Sequence, residues 1–78
     1  MKKAMITLRS ITYAQRGQRE LEKAGIPAVL SRTPKKYAEM GCGYCLLVSP
    51  DQREQAQEVL LRRGVGYIRS YRPEEIRL

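Results

Sequence analysis

Residues 49–64 read SPDQREQAQEVLLRRG and contain the start, the inner face and the end of one helix. Ser49, Pro50 and Gln52 predict the start, because serine caps a helix, proline fits its first turn and Gln52 completes a capping box. The inner face consists of residues spaced by three and four: Ala56, Val59, Leu60 and Arg63. Gly64 supplies the left-handed residue at which such a helix ends.

The same pattern occurs 39 residues earlier, where residues 10–25 read SITYAQRGQRELEKAG. Ser10 is again a cap, the helix is predicted from about Thr12 to Ala24, and Gly25 ends it. Its inner face consists of Ala14, Gly17, Leu21 and Ala24. The shift aligns eight identical pairs: Met1 and Met40, Leu8 and Leu47, Ser10 and Ser49, Gln18 and Gln57, Leu21 and Leu60, Gly25 and Gly64, Ser31 and Ser70, Pro34 and Pro73.

Strand-forming segments flank both predicted helices. They span Ala4 to Arg9, Ile26 to Arg32, Tyr44 to Val48 and Tyr67 to Tyr71. Two β-α-β copies predict the ferredoxin-like β-α-β-β-α-β sandwich, an α+β fold with a four-stranded antiparallel sheet and both helices on one face. A chain of 78 residues has room for one core, so we expect a single domain over 1–78 with halves of about 1–39 and 40–78.

The composition favours some classes of partner and disfavours some classes of enzyme. The net charge is +7, which favours nucleic acid or the acidic surface of another protein as partner. The chain has no histidine, which removes the usual general base and the usual nitrogen ligand of zinc. No apolar run reaches the length of a membrane helix, so we expect a cytoplasmic protein with reduced thiols and no membrane partner.

Both cysteines lie in the segment Gly41-Cys42-Gly43-Tyr44-Cys45. The repeat places Leu47 over Leu8 and Cys45 over Ile6, which predicts that Cys45 faces the helices as an unreactive thiol. Cys42 then belongs to the opposite side or to the preceding loop.

Other uses of the two thiols are disfavoured. Two cysteines three residues apart in an extended strand are about 10 Å apart, too far for a disulfide unless the glycines bend the chain. Two thiolates without histidine do not complete a metal centre, so no metal and no cofactor is expected. Lys35 and Lys36, in the long loop 33–43, either lower the pKa of Cys42 together with the amides of Gly41 and Gly43 or are ordinary solvated charges.

The order of these segments resembles the Se/S (selenium or sulfur) carrier protein-like family, a family of small bacterial domains. The resemblance spans almost the whole chain and rests on these residues: Ser10, Thr12, Ala14, Gly25, Ile26, Pro27, Thr33, Pro34, Lys35, Cys42 and Gly43. It implies that the thiol of Cys42 is the group that accepts the transferred sulfur or selenium atom. The family pattern does not include Cys45. Small hydroxyl residues are common in the family loop, whereas this chain has Tyr37, Ala38, Glu39 and Met40.

The resemblance implies a carrier that is not an enzyme. Cys42 would take sulfur or selenium from a donor protein as a persulfide or perselenide and pass it to an acceptor protein, which requires a reactive thiol but no histidine.

A non-catalytic module is the alternative. The predicted register places tyrosines and arginines on the sheet face away from the helices: Met5, Thr7, Arg9, Leu30, Arg32, Tyr44, Tyr67, Arg69 and Tyr71. Such a face can stack single-stranded bases, with Arg9, Tyr44 and Arg69 as contacts. Leu46 and Val48 are expected there too, and their apolar character favours a homodimer over nucleic acid. A regulatory or assembly subunit without thiol chemistry also stays open.

Overall fold

The first strand lies at the centre of the molecule. In the computed structural model, which describes residues 2–38 and 43–76, the elements follow the predicted β-α-β-β-α-β order. They are β1 (Ala4–Leu8), α1 (Ile11–Lys23), β2 (Val29–Arg32), β3 (Tyr44–Val48), α2 (Arg53–Arg62) and β4 (Arg69–Tyr71). Short 3-10 turns span Lys35–Tyr37, Pro50–Gln52 and Pro73–Glu75.

The strands form one sheet in the order β2-β3-β1-β4, and each adjoining pair is antiparallel. The predicted α+β class with a four-stranded antiparallel sheet and two helices is therefore confirmed. Both helices contribute to one hydrophobic core, which they share with one face of the sheet. We call that face the helix face and the opposite surface the open face.

The core uses the predicted inner faces of the helices. Its members from β1, β3 and the helices are Ala4, Ile6, Leu8, Leu46, Val48, Ala14, Leu21, Ala56, Val59 and Leu60. Gly17 is buried with them, and a Cβ there would lie 3.1 Å from both Leu46 and Leu60. Ala24 and Arg63 were expected on the inner faces and are exposed, because each lies beyond the last residue of its helix.

The helix ends also follow the sequence, with one exception. Gly25 and Gly64 have φ angles of +81° and +75°, the left-handed conformation that glycine adopts without steric cost. The Ser10 hydroxyl accepts a hydrogen bond from the Tyr13 amide, as predicted for a cap. The predicted cap at Ser49 is wrong, because its side chain makes no capping hydrogen bond and the 3-10 turn Pro50–Gln52 precedes α2.

The predicted orientation of β3 is also wrong. Ile6 pairs with Leu46 and Met5 with Leu47, and residues opposite each other in a ladder share a face of the sheet. Leu46 and Val48 therefore face the helices, whereas Cys45 and Leu47 lie on the open face. The 39-residue repeat therefore does not hold for the strands. Leu8 and Val48, the last core residues of β1 and β3, are 40 positions apart, whereas the helix-ending glycines Gly25 and Gly64 are 39 apart. The chain between strand and helix end is thus one residue shorter in the second half, where a 3-10 turn precedes α2.

Candidate functional site

The open face carries a mixture of apolar, hydroxyl and thiol side chains. The ladder pairs Met5 with Leu47 and Tyr71, Thr7 with Cys45 and Arg69, and Ser31 with Cys45. The predicted places of Met5, Thr7, Arg69 and Tyr71 on this face are confirmed.

Several other residues assigned to this face lie elsewhere. Leu30, Tyr44 and Tyr67 pack against the core, as do Leu46 and Val48. Arg32 pairs with Tyr44 across the ladder, and its guanidinium lies 5.6 Å from the centre of the Tyr44 ring. The predicted platform of alternating tyrosines and arginines is therefore not formed. The one-residue change of phase in β3 moves Tyr44, Leu46 and Val48, and Leu30 and Arg32 lie opposite Leu46 and Tyr44 in the ladder, whereas Tyr67 precedes β4.

Cys45 is a free thiol in the middle of the open face and is 1% exposed. Burial raises the pKa of this thiol, and the neighbouring Thr33 side chain partly opposes the rise. The prediction that Cys45 is buried is confirmed, while the face on which it is buried was predicted incorrectly. A buried thiol with a raised pKa is a poor nucleophile at neutral pH.

Thr33 and Gly43 close the loop that contains Cys42. The Thr33 amide donates a hydrogen bond of 3.1 Å to the Gly43 carbonyl, which ties the chain before the loop to the chain after it. A Cβ at position 43 would lie 3.3 Å from the Thr33 hydroxyl oxygen and 3.5 Å from the Leu8 carbonyl oxygen, so the contact favours glycine. The Thr33 hydroxyl is buried and has no hydrogen-bond partner within the described residues.

The two lysines predicted to assist Cys42 are exposed on the 3-10 turn Lys35–Tyr37. The Lys36 ammonium lies 5.9 Å from the centre of the Tyr37 ring. Cys42 and Gly41 lie outside the described residues, so the predicted proximity of these lysines to the thiol stays a prediction.

Tyr37 connects the loop to the far side of the sheet. β2 and β4 are at opposite edges, yet the Tyr37 ring lies 4.9 Å from the Tyr71 ring in an edge-to-face arrangement. The Tyr37 hydroxyl also donates to the Glu75 carbonyl at 3.2 Å. The chain after β2 and the chain after β4 therefore meet over the open face.

These two segments leave a groove of about 440 Å³ between themselves and the sheet. The described residues that line it are Lys2, Lys3, Met5, Ser31, Arg32, Pro34, Cys45, Leu47, Pro73 and Ile76. This volume is in the range of small-molecule sites. Sequence reasoning missed the groove, because it requires Cys45 and Leu47 on the open face and the C-terminal segment folded over it.

The other predicted contacts are Arg9, Tyr44 and Arg69. Arg9 is exposed after β1, and its guanidinium lies 5.6 Å from the centre of the Tyr13 ring on α1. Arg69 is exposed on β4, at one edge of the sheet, and Tyr44 lies on the helix face of β3. Tyr44 therefore does not share the open face with Arg69, whereas a joint contact surface of Arg9 and Arg69 stays a prediction.

Residues 2–38 and 43–76 contain neither a cluster of metal-binding side chains nor a membrane-spanning helix. No group of three or more cysteine, aspartate or glutamate side chains is placed to hold a metal ion there. None of the helices in this part of the chain is long and apolar enough to cross a membrane.

The fold and the groove define a small α+β protein without histidine, in which a buried thiol, Cys45, lies on the floor of the groove. The chain belongs to the family described as "Putative Se/S carrier protein-like", whose model matches residues 3–72. The family predicted from the sequence is thereby confirmed. No significant match was found among the curated proteins or among the solved structures.

Proposed function

We propose that this protein is a sulfur or selenium carrier that holds a persulfide or perselenide on Cys42 and delivers it to an acceptor protein. Membership of the carrier-like family supports the proposal. The second support is that one of the two cysteines, Cys45, is buried and has a raised pKa, which leaves Cys42 as the thiol available for exchange.

The chemistry is thiol exchange without net oxidation. The Cys42 thiolate attacks the terminal sulfur of a donor persulfide, a new S–S bond forms, and the donor leaves as a thiolate. In the second step an acceptor thiolate attacks the terminal sulfur of the Cys42 persulfide. The acceptor becomes the persulfide, and Cys42 leaves as a thiolate. Each step needs a nucleophilic thiolate and a docked partner, so the carrier acts stoichiometrically and not as an enzyme.

The surroundings proposed for Cys42 are basic and rich in glycine. Glycine has no side chain to cover its neighbours, so we expect the backbone amides at Gly41 and Gly43 to be open to a thiolate, and Lys35 and Lys36 add positive charge in the same loop. A net charge of +7 favours donor and acceptor proteins with acidic surfaces.

The proposal also includes the fold type and the cellular location of the carrier. We infer that the arrangement is the ferredoxin-like sandwich, because two β-α-β halves contribute to one antiparallel sheet with both helices in a shared core. We place the carrier in the cytoplasm, where thiols stay reduced and available for exchange.

Mass spectrometry after incubation with a cysteine desulfurase and cysteine tests the carrier. Wild type and Cys45→Ser should each gain the mass of one sulfur atom, and Cys42→Ser should gain none. Addition of sulfur to Cys42→Ser equal to that of wild type would exclude Cys42 as the site. If no variant gains sulfur and Cys42→Ser matches wild type in every assay, the protein is an assembly subunit.

The pH dependence of alkylation provides a second test. Cys45→Ala leaves only Cys42, and Cys42→Ser leaves only Cys45. We expect Cys42 to titrate below the ordinary thiol value of about 8.5 and Cys45 above it, because burial raises the pKa of Cys45. The single-cysteine variant with Cys45 should therefore react slowly at neutral pH and faster as the pH rises. An ordinary pKa for Cys42 would contradict its activation.

A further inference from the structure

The groove on the open face has the composition of a site for a small amphipathic anion. We propose that it binds an alkyl carboxylate, with the apolar chain along the sheet and the carboxylate at Lys2 and Lys3. This ligand site is independent of carriage on Cys42, because binding in the groove uses no thiolate.

The apolar part of the ligand has a defined place. Met5, Leu47 and Cys45 form the floor on β1 and β3, and both Met5 and Cys45 are about 1% exposed. Pro34 forms one wall, and Pro73 and Ile76 form the other. The Tyr37 hydroxyl and the Glu75 carbonyl hold the two walls together.

The charge of the groove comes from one end. Lys2 and Lys3 precede β1 and line the groove, and neither ammonium pairs with a carboxylate among the described residues. The third basic residue of the lining, Arg32, has its guanidinium over Tyr44 on the helix face. Among the described residues of the lining, the lysines are therefore the cations that can meet a ligand carboxylate.

The nearest acidic residues of the covering segment are engaged elsewhere. Arg72 lies 3.7 Å from the carboxylates of both Glu74 and Glu75, and its amide donates to Glu75 at 2.7 Å. No aspartate or glutamate is among the described residues that line the groove. An anion with an apolar chain therefore complements the groove better than a cation or a sugar does.

Isothermal titration of decanoate into Cys42→Ser protein tests the proposal. We expect saturable one-to-one binding, and hexanoate and octanoate should bind more weakly by about tenfold for each pair of methylenes removed. Decanol, which lacks the charge, should bind several-fold more weakly than decanoate. Absence of saturable decanoate binding up to low millimolar concentration would overturn the proposal.

Lysine variants test the position of the carboxylate. Lys2→Gln and Lys3→Gln should each weaken decanoate binding about two- to fivefold, as expected for partly exposed charge pairs. Lys23→Gln is the matched control, because Lys23 is exposed at the end of α1 and pairs with Glu20. Equal effects of all three substitutions would show nonspecific attraction by net charge and would overturn the site.

The Cys45 thiol reports whether the ligand is in the groove. In the Cys42→Ser background, bound decanoate should slow alkylation of Cys45 in proportion to the occupied fraction. Binding without protection would place the ligand elsewhere. Protection that rises with protein concentration and not with decanoate would mean that a second copy of the chain covers the groove, and it would also overturn the proposal.

Discussion

Two buried threonines, Thr7 on β1 and Thr33 directly after β2, differ in the hydrogen bonds that their hydroxyl groups make. The Thr7 hydroxyl accepts from the Arg69 amide at 3.0 Å and donates to the Arg69 carbonyl at 3.3 Å. The Thr33 hydroxyl packs against Gly43 and has the Cys45 thiol, whose pKa it lowers, as its polar neighbour, but it has no hydrogen-bonded nitrogen or oxygen atom among the described residues. A hydroxyl that bonds two backbone groups contributes more stability than a hydroxyl whose polar neighbour is a thiol, so the two side chains should respond to different extents to the same substitution.

Replacement of each threonine by valine, which has nearly the same shape, measures this difference. Thr33→Val should change the free energy of unfolding by less than about 0.5 kcal/mol, because the hydroxyl that it removes has the Cys45 thiol as its polar neighbour and no hydrogen-bonded nitrogen or oxygen atom among the described residues. Thr7→Val should lower it by about 1 kcal/mol, because it leaves the Arg69 amide without its partner. Urea denaturation of both variants provides the measurement. Equal destabilisation by both substitutions would show that the Thr33 hydroxyl contributes a hydrogen bond.

At the scale of the elements, the repeat describes the helices well. Gln18 and Gln57 are equivalent in the repeat. Each forms a hydrogen bond from its helix to the chain at or just before the second strand of the same half. The Gln18 amide donates to the Ala28 carbonyl at 2.9 Å, and the Gln57 amide oxygen accepts from the Ser70 hydroxyl at 2.6 Å. Arg53 adds hydrogen bonds to both Gln57 and Ser70, which attach the short strand β4 to α2.

The repeat also predicts which glycines matter for the helix ends. Gly25→Ala and Gly64→Ala should each lower the free energy of unfolding by about 1–2 kcal/mol, because alanine pays the steric cost of a positive φ. Thermal and chemical denaturation would measure the loss. Gly66→Ala is the control, since a Cβ there meets nothing within 4 Å and Gly66 lacks a positive φ. Losses as large in Gly66→Ala would contradict the conformational explanation.

At the scale of the whole molecule, the open face is covered by two segments far apart in sequence. The loop after β2 and the turn Pro73–Glu75 meet through Tyr37, which contacts Tyr71 and Glu75. This contact joins the two segments whose residues Pro34, Pro73 and Ile76 line the groove over Cys45.

Loss of the Tyr37 contact should therefore expose Cys45. In the Cys42→Ser background, Tyr37→Ala should accelerate alkylation of Cys45 about three- to tenfold, because an edge-to-face aromatic pair contributes roughly 0.5–1.5 kcal/mol. The free energy of unfolding should fall by a similar amount. Tyr13→Ala is the comparison, since Tyr13 lies exposed on α1 and contacts Arg9. An unchanged alkylation rate in Tyr37→Ala would mean that Tyr37 does not cover the groove.

The sequence by itself determined the order of the elements, the inner faces of the helices and the glycines at which the helices end. These features depend on local properties: helical spacing of apolar residues, the capping serine at Ser10, and the free access of glycine to positive φ. The carrier-like family could also be predicted from the sequence, because the motifs of the family occur in this chain in the same order.

Only the tertiary structure decided which face of the sheet each residue of β3 occupies. Cys45, Leu46, Leu47 and Val48 are all apolar, so no alternation distinguishes the two faces, and a slip of one residue exchanges them. The pairing of β3 with β1 settles the choice, because Ile6 and Leu46 must both enter the core under the helices. The groove over Cys45 follows from that choice and from the long-range contact of Tyr37 with the C-terminal segment.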